Sequence, residues 1–121
     1  SKHESKIVSS QQLGMSERDA ELYIDDIRSA IDRIIEYTAG HTLKSFRDDY
    51  KTIDAVIRNL EIIGEAATHL TEDERGRYAQ VPWHLMVSLR NKVIHEYFGI
   101  DMAILWQTIQ EDLPKLREQI S

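Results

Sequence analysis

Hydrophobic residues recur every three or four positions along almost the whole chain, a spacing that predicts helices and not strands. Ala20, Tyr23, Ile24, Ile27, Ile31 and Ile34 form the first stripe, with Ser16 placed to cap the helix and Gly40 to end it. A polar link follows, in which Leu43 to Phe46 can make one helical turn. Ile53, Val56, Ile57, Leu60, Ile63, Ala67 and Leu70 then mark a second long helix, whose opposite face carries Asp54, Arg58, Glu61 and Glu65. The stretch TEDERGRYAQVP is charged, ends in proline, and is expected to connect with at most a short helix. A third helix should open at Trp83 and stop at Phe98-Gly99, where glycine can take the left-handed cap conformation. Asp101 is then placed to cap the last helix, which has Met102, Leu105, Ile109, Leu113, Leu116 and Ile120 as its apolar stripe. Pro114 removes a backbone donor and is expected to kink it. No hairpin signal interrupts the pattern. The expected fold is all-α, an antiparallel bundle of four main helices plus one or two short ones.

Composition sets the limits of this picture. Residues 1–14 are polar and without pattern, and Met15 reads as an initiator. A disordered extension or tag over 1–14 and one helical domain over 15–121 are therefore expected. The chain has no cysteine, which removes disulfides, thiolate nucleophiles and thiolate zinc sites and fits a reducing, cytoplasmic compartment. No apolar run approaches the roughly 18 residues of a membrane span, and no signal-peptide layout opens the chain. A net charge of -6 argues against a surface that coats nucleic acid broadly, because phosphate binding is driven by Lys and Arg. Any RNA contact has to be local or made by an assembled groove.

The pattern breaks in SLRNKVIHEYFG, Ser88 to Gly99. On a helical wheel, Leu85, Leu89, Val93, Met86, Trp83, Ile94 and Val87 fill an arc of roughly 200°, and Arg90 falls inside it with Tyr97 beside it. An unpaired buried guanidinium costs several kcal/mol, so a carboxylate such as Glu61 or Glu65 must meet it, or that part of the arc faces a partner or a cleft. His95 lies about 140° from Arg90 around the axis and about 7.5 Å along it. On one straight helix the two diverge. They can meet on one phosphate if the helix unwinds before Gly99, or if a two-fold axis brings two copies of the segment together. Asn91, one turn before His95, is on its face and can orient the imidazole.

At these residues the sequence resembles a known family. RNKVIHEY, Arg90 to Tyr97, has the Arg-x4-6-His motif of the HEPN superfamily in the Arg-x4-His-x-Tyr form of the HepT-like toxins. The likeness extends over about Met15 to Ile120, through DAELYIDDI, AVIRNLEIIGEAA, the VPW before the third helix and the YFGID after it. The resemblance implies an all-α homodimer that acts as a metal-independent endoribonuclease, paired with a small nucleotidyltransferase antitoxin. His95 would be general acid or base, Arg90 would hold the phosphate and stabilise the transition state, and Asn91 would be a supporting polar contact. The antitoxin would transfer AMP to Tyr97 and so block RNA. No cofactor and no metal is implied.

Plainer readings stand beside these. Without the resemblance, a histidine near a helix end is usually a cap or surface residue, and an arginine in an apolar arc is usually a structural ion pair. His3, His41, His69 and His84 show no metal-ligand spacing. Asp54, Glu61 and Glu65, with Arg58 among them, read as a solvated stripe or a partner for Arg90. Trp83, Trp106 and Phe98 read as core or dimer interface before base-stacking platforms. The alternative function is a non-catalytic helical module that binds the nucleotidyltransferase and presents a substrate or nucleotide surface. Only the ribonuclease reading requires RNA scission that depends on His95.

Overall fold

The computed structural model describes the backbone of residues 2–84, 86–88 and 101–121, and within these the side chains from residue 19 onward. Helix α1 spans Lys2–Thr38, α2 Leu43–Asp48, α3 Tyr50–Thr68 and α4 Glu72–Gly76. A further helical segment opens at Trp83, and the chain ends in α5, Met102–Gln107, a π-helical turn over Thr108–Asp112, and α6, Leu113–Gln119. No strand occurs among the described residues, and the protein is the all-α bundle that the periodicity predicts.

The apolar stripes become the core. Ile24, Ile27, Ala30, Ile31 and Ile34 of α1 face Ile53, Val56, Ile57, Leu60, Ile63 and Ala67 of α3, and all of them are buried. The two helices run antiparallel. Tyr23 meets His69 and Arg33 meets Asn59, so a step of ten residues up α1 is a step of ten down α3. Asn59 is buried and satisfied at both ends of its amide, accepting from Arg33 Nη1 at 3.1 Å and donating to the Ala55 carbonyl at 2.8 Å. The C-terminal helix lies along α1 in the opposite sense: Arg28 Nε donates to the Ile120 carbonyl at 2.7 Å and Arg117 Nε to Asp32 at 2.9 Å. Phe46 of α2, fully buried, plugs the bundle between α3 and α5 and packs on Trp106 with ring centroids 5.2 Å apart.

Caps define the corners. Gly40 closes α1 with φ of +81°, a conformation that L side chains rarely adopt. Thr42 and Ser45 form a reciprocal capping box at α2, and Thr71 with Glu74 does the same at α4. Asp49 caps α3 through the Thr52 backbone N–H. Asp101 caps α5 as expected, accepting from Ala103 and Ile104 N–H.

One local expectation is corrected, and one irregularity has a clear cause. The backbone of α1 is helical through Ser16 back to Lys2, so Ser16 lies within the helix and does not cap it. The turn before Pro114 is irregular. In a regular α-helix the proline ring would press on the Gln110 carbonyl and leave that acceptor without a donor. The chain relieves this by widening to a π turn just before the proline, with the Leu113 N–H donating to the Thr108 carbonyl.

Candidate active site

Arg90, Asn91, His95 and Tyr97 lie outside the described residues, as does Phe98. The structure describes what holds the two ends of their segment. On the N-terminal side, Trp83 is buried and its indole N–H donates to the carbonyls of Arg75 at 3.0 Å and Tyr78 at 3.2 Å. The Met86 N–H donates to the Pro82 carbonyl at 3.1 Å, which makes the first helical turn, and Met86 itself is buried in the core. VPW is therefore an anchor: proline breaks the connector, and tryptophan, starting the helix, locks it to the turn after α4. On the C-terminal side the Asp101 cap starts α5. Both ends of the segment are thus tied to the bundle by side chains that hydrogen-bond backbone.

Trp83 and Trp106 have the core roles expected of them. Asp54, Arg58 and Glu65 are exposed and Glu61 is half-buried, so their stripe is solvated. Arg58 stands 3.5 Å from Glu61, and Glu65 stands 3.4 Å from His69 Nε2. These contacts are long and exposed, and pairs of this kind contribute little to stability.

The stripe borders a cleft that the sequence reading did not anticipate. It lies between α1 and α3 and encloses about 310 Å³. Its lining combines the apolar Ile62 and Ala66 with the acidic Asp26, Glu61 and Glu65. At one end the His69 imidazole stacks on the Tyr23 phenol, with centroids 4.9 Å apart and planes 14° from parallel. Glu65 and His69 are four residues apart on one helix, a spacing visible in the sequence. Tyr23 joins them only through the antiparallel register of α1 and α3.

A second polar cluster is structural. His41 Nδ1 lies 2.9 Å from Ser45 Oγ and its Nε2 lies 3.6 Å from Asp49, an order that resembles a Ser-His-Asp relay. The Ser45 hydroxyl, however, accepts the Thr42 N–H at 2.9 Å within the capping box, and Asp49 is occupied as a helix cap. The Thr52 hydroxyl and the Thr52 N–H, with His41 adding to them, hold the Asp49 carboxyl below its usual pKa. The cluster fixes the turn from α2 into α3.

Residues 27–121 match the family described as "Ribonuclease HepT-like". The chain belongs to the HepT-like ribonuclease family. The match begins at Ile27, a fully buried residue of α1, and takes in the whole of Arg90 to Tyr97. Among related proteins, "Putative RNase MJ1380" of Methanocaldococcus jannaschii is 42% identical over 88% of this chain and 97% of its own length. "Probable ribonuclease HepT" of Thermococcus cleftensis is 44% identical over 78% of this chain and 86% of its own. A two-part protein of Methanocaldococcus jannaschii, "Gamma-glutamylcyclotransferase and putative RNase MJ0434", is 38% identical over 85% of this chain and 46% of its own length. No solved structure matches the chain. No helix among the described residues is long and apolar enough to cross a membrane.

Proposed function

We propose that this HepT-like protein is the toxin of a toxin-antitoxin pair, a cytoplasmic, metal-independent endoribonuclease whose catalytic domain spans 15–121 and carries 1–14 as an extension. The observation that carries the reading is the Arg90-x4-His95-x-Tyr97 sequence inside the span matched by the ribonuclease family. The chemistry suits these side chains. A general base removes the proton of an RNA 2′-hydroxyl, whose oxygen attacks the adjacent phosphorus. The bond from phosphorus to the 5′-oxygen then breaks, and a general acid delivers a proton to the leaving oxygen. Histidine is the side chain whose ordinary pKa lies near neutrality, so His95 is the group that moves the proton, a contribution of about 10²- to 10⁴-fold. Arg90, always charged and fork-shaped, holds the phosphate and the charge that builds on it. Asn91 supports the imidazole.

Arg90 and His95 diverge on a straight helix, and a homodimer that apposes two copies of the segment supplies the composite cleft. The wide apolar arc around Val87 and Trp83 fits a helix next to such an interface. A nucleotidyltransferase antitoxin neutralises the enzyme by joining the Tyr97 phenol oxygen to the α-phosphorus of ATP, with pyrophosphate leaving. The added phosphodiester and purine occupy the place of RNA.

The test is cleavage of RNA by the purified chain in EDTA. Wild type should cut, while His95→Ala and Arg90→Ala should each lose cleavage and keep the helical circular dichroism signal. Undiminished cleavage by His95→Ala would refute the assignment, and wild-type cleavage that disappears with chelator would refute the metal-free chemistry.

A further inference from the structure

We propose that Arg75 is a positioning residue for the Arg90 to Tyr97 segment, fixing the peptide carbonyl to which Trp83 is tied, a proposal that rests on the ribonuclease reading for the activity it affects.

Arg75 joins three parts of the fold. It lies in the last turn of α4, where its backbone N–H donates to the Thr71 carbonyl at 2.9 Å. Its side chain reaches back to α3, and Nη2 donates to the Ala67 carbonyl at 2.7 Å. Its own carbonyl accepts the Trp83 indole N–H at 3.0 Å. The path from the end of α3 to the residue that opens the stretch leading to Arg90 therefore runs through one amino acid. With only five residues, α4 is too short to be stable by itself, so contacts from outside it set where it stands.

Stability does not account for an arginine here. The guanidinium is half-buried, no carboxylate among the described residues pairs with it, and Nε is sealed from solvent without an acceptor. A buried charge without a counter-charge and a buried donor without an acceptor are both costly, and native structures hold few such groups. Nor does the Ala67 carbonyl depend on Nη2, because it also accepts the Leu70 N–H at 3.3 Å. A methionine would run along the same path with similar helix propensity and would bury no orphaned donor. What it lacks is a directional bond to α3, which the planar guanidinium makes with little loss of freedom. Leu70 and Val81, both buried, hold the connector to the core at either end whether or not that bond is made. The contribution of Arg75 is thus to where Trp83 sits, and a misplacement of about 1 Å at a reacting centre can cost about 10²-fold in rate.

The experiment compares wild type, Arg75→Met, Trp83→Phe and the double variant of the full chain. Arg75→Met should melt within about 3 °C of wild type, lower kcat for RNA cleavage about tenfold and leave KM nearly unchanged. In the Trp83→Phe background the same change should lower kcat no further, because the Arg75 carbonyl then has no indole to hold. A readout that needs no RNA is the Trp83 indole N–H, identified in proton–nitrogen NMR by its absence from Trp83→Phe. It should exchange with deuterium about tenfold faster in Arg75→Met, while the amides of Ile27 and Ile57 keep their protection. A loss of melting temperature as large as that of Trp83→Phe, or a variant that does not fold, makes Arg75 a stability residue and overturns the proposal. So do a KM that rises while kcat holds, losses that multiply in the double variant, and unchanged indole exchange. The two readings fail separately. A wild type that cuts no RNA removes the ribonuclease, and indole exchange alone then decides whether Arg75 holds Trp83; full kcat in Arg75→Met keeps the ribonuclease and removes the positioning role.

Discussion

Replacing Trp83 with phenylalanine should loosen the attachment of the Arg90 to Tyr97 segment without unfolding the bundle. Trp83 is 7% exposed, and its indole N–H is shared between the carbonyls of Arg75 and Tyr78. Phenylalanine keeps an aromatic ring, loses part of the buried volume and loses the donor. The lost donor is not very costly, because each carbonyl retains a backbone partner: the Tyr78 N–H donates to Arg75 at 3.0 Å and the Val81 N–H to Tyr78 at 3.0 Å. Neither acceptor is orphaned, so this part is about 1 kcal/mol. The smaller ring adds about 1 kcal/mol of lost burial and cavity, whereas Trp83→Ala, with most of the ring gone, should cost about 3–5 kcal/mol. The expected total for Trp83→Phe is about 2 kcal/mol, a fall in melting temperature of roughly 6–10 °C for a domain of this size. Urea unfolding followed by far-ultraviolet circular dichroism reads the stability, and RNA cleavage at a temperature where both proteins are folded reads the site. Cleavage should fall in Trp83→Phe although the residue precedes the Arg90 to Tyr97 motif in the sequence. A midpoint equal to wild type, or Trp83→Phe as destabilising as Trp83→Ala, would refute the reasoning, the first by removing the anchor and the second by placing its worth in the hydrogen bond alone.

The remaining predictions concern control, assembly and the corners of the fold. Tyr97→Phe should keep its fold and gain no AMP on intact-mass analysis after incubation with the partner nucleotidyltransferase, ATP and magnesium; equal addition to the variant would place the acceptor elsewhere. Light scattering should give a dimer at tens of micromolar, and a fully active strict monomer would exclude the composite cleft. Asp49→Ala should destabilise the protein at neutral pH, and the deficit should shrink in acid. The folded carboxyl has its pKa lowered, so its contribution is complete above its ordinary value of 3.8 and is lost as pH falls through the lower folded value. A deficit that grows towards acid pH in urea titrations would reverse that sign. Asp101→Ala, which releases two backbone N–H groups at the start of α5, should cost about 1 kcal/mol in the same assay, and no change would show that water caps the helix as well as the carboxylate does.

The periodicity of the chain decided which residues are core, because a helix of 3.6 residues per turn places its buried face by local rules that no distant contact alters. Ile27, Ile31 and Ile34, the stripe from Ile53 to Leu70, and Leu105, Ile109, Leu113 and Leu116 are buried as their spacing requires. The Asp101 cap and the short helix within TEDERGRYAQVP were legible for the same reason, since caps and breakers act over three or four residues. Family membership was legible too, carried by the order of motifs around Arg90 to Tyr97. The start of α1 was not, because a serine that can cap a helix can equally lie inside one, and propensity alone does not choose. Pro114 announced an irregularity, and the tertiary structure shows its form, a π turn that frees the proline ring while Ile109 and Leu113 stay buried. The cleft of Tyr23, Ile62 and His69 belongs wholly to the tertiary structure. Tyr23 and His69 sit far apart along the chain, and only the antiparallel register set by the packing of α1 on α3 brings phenol and imidazole within stacking distance.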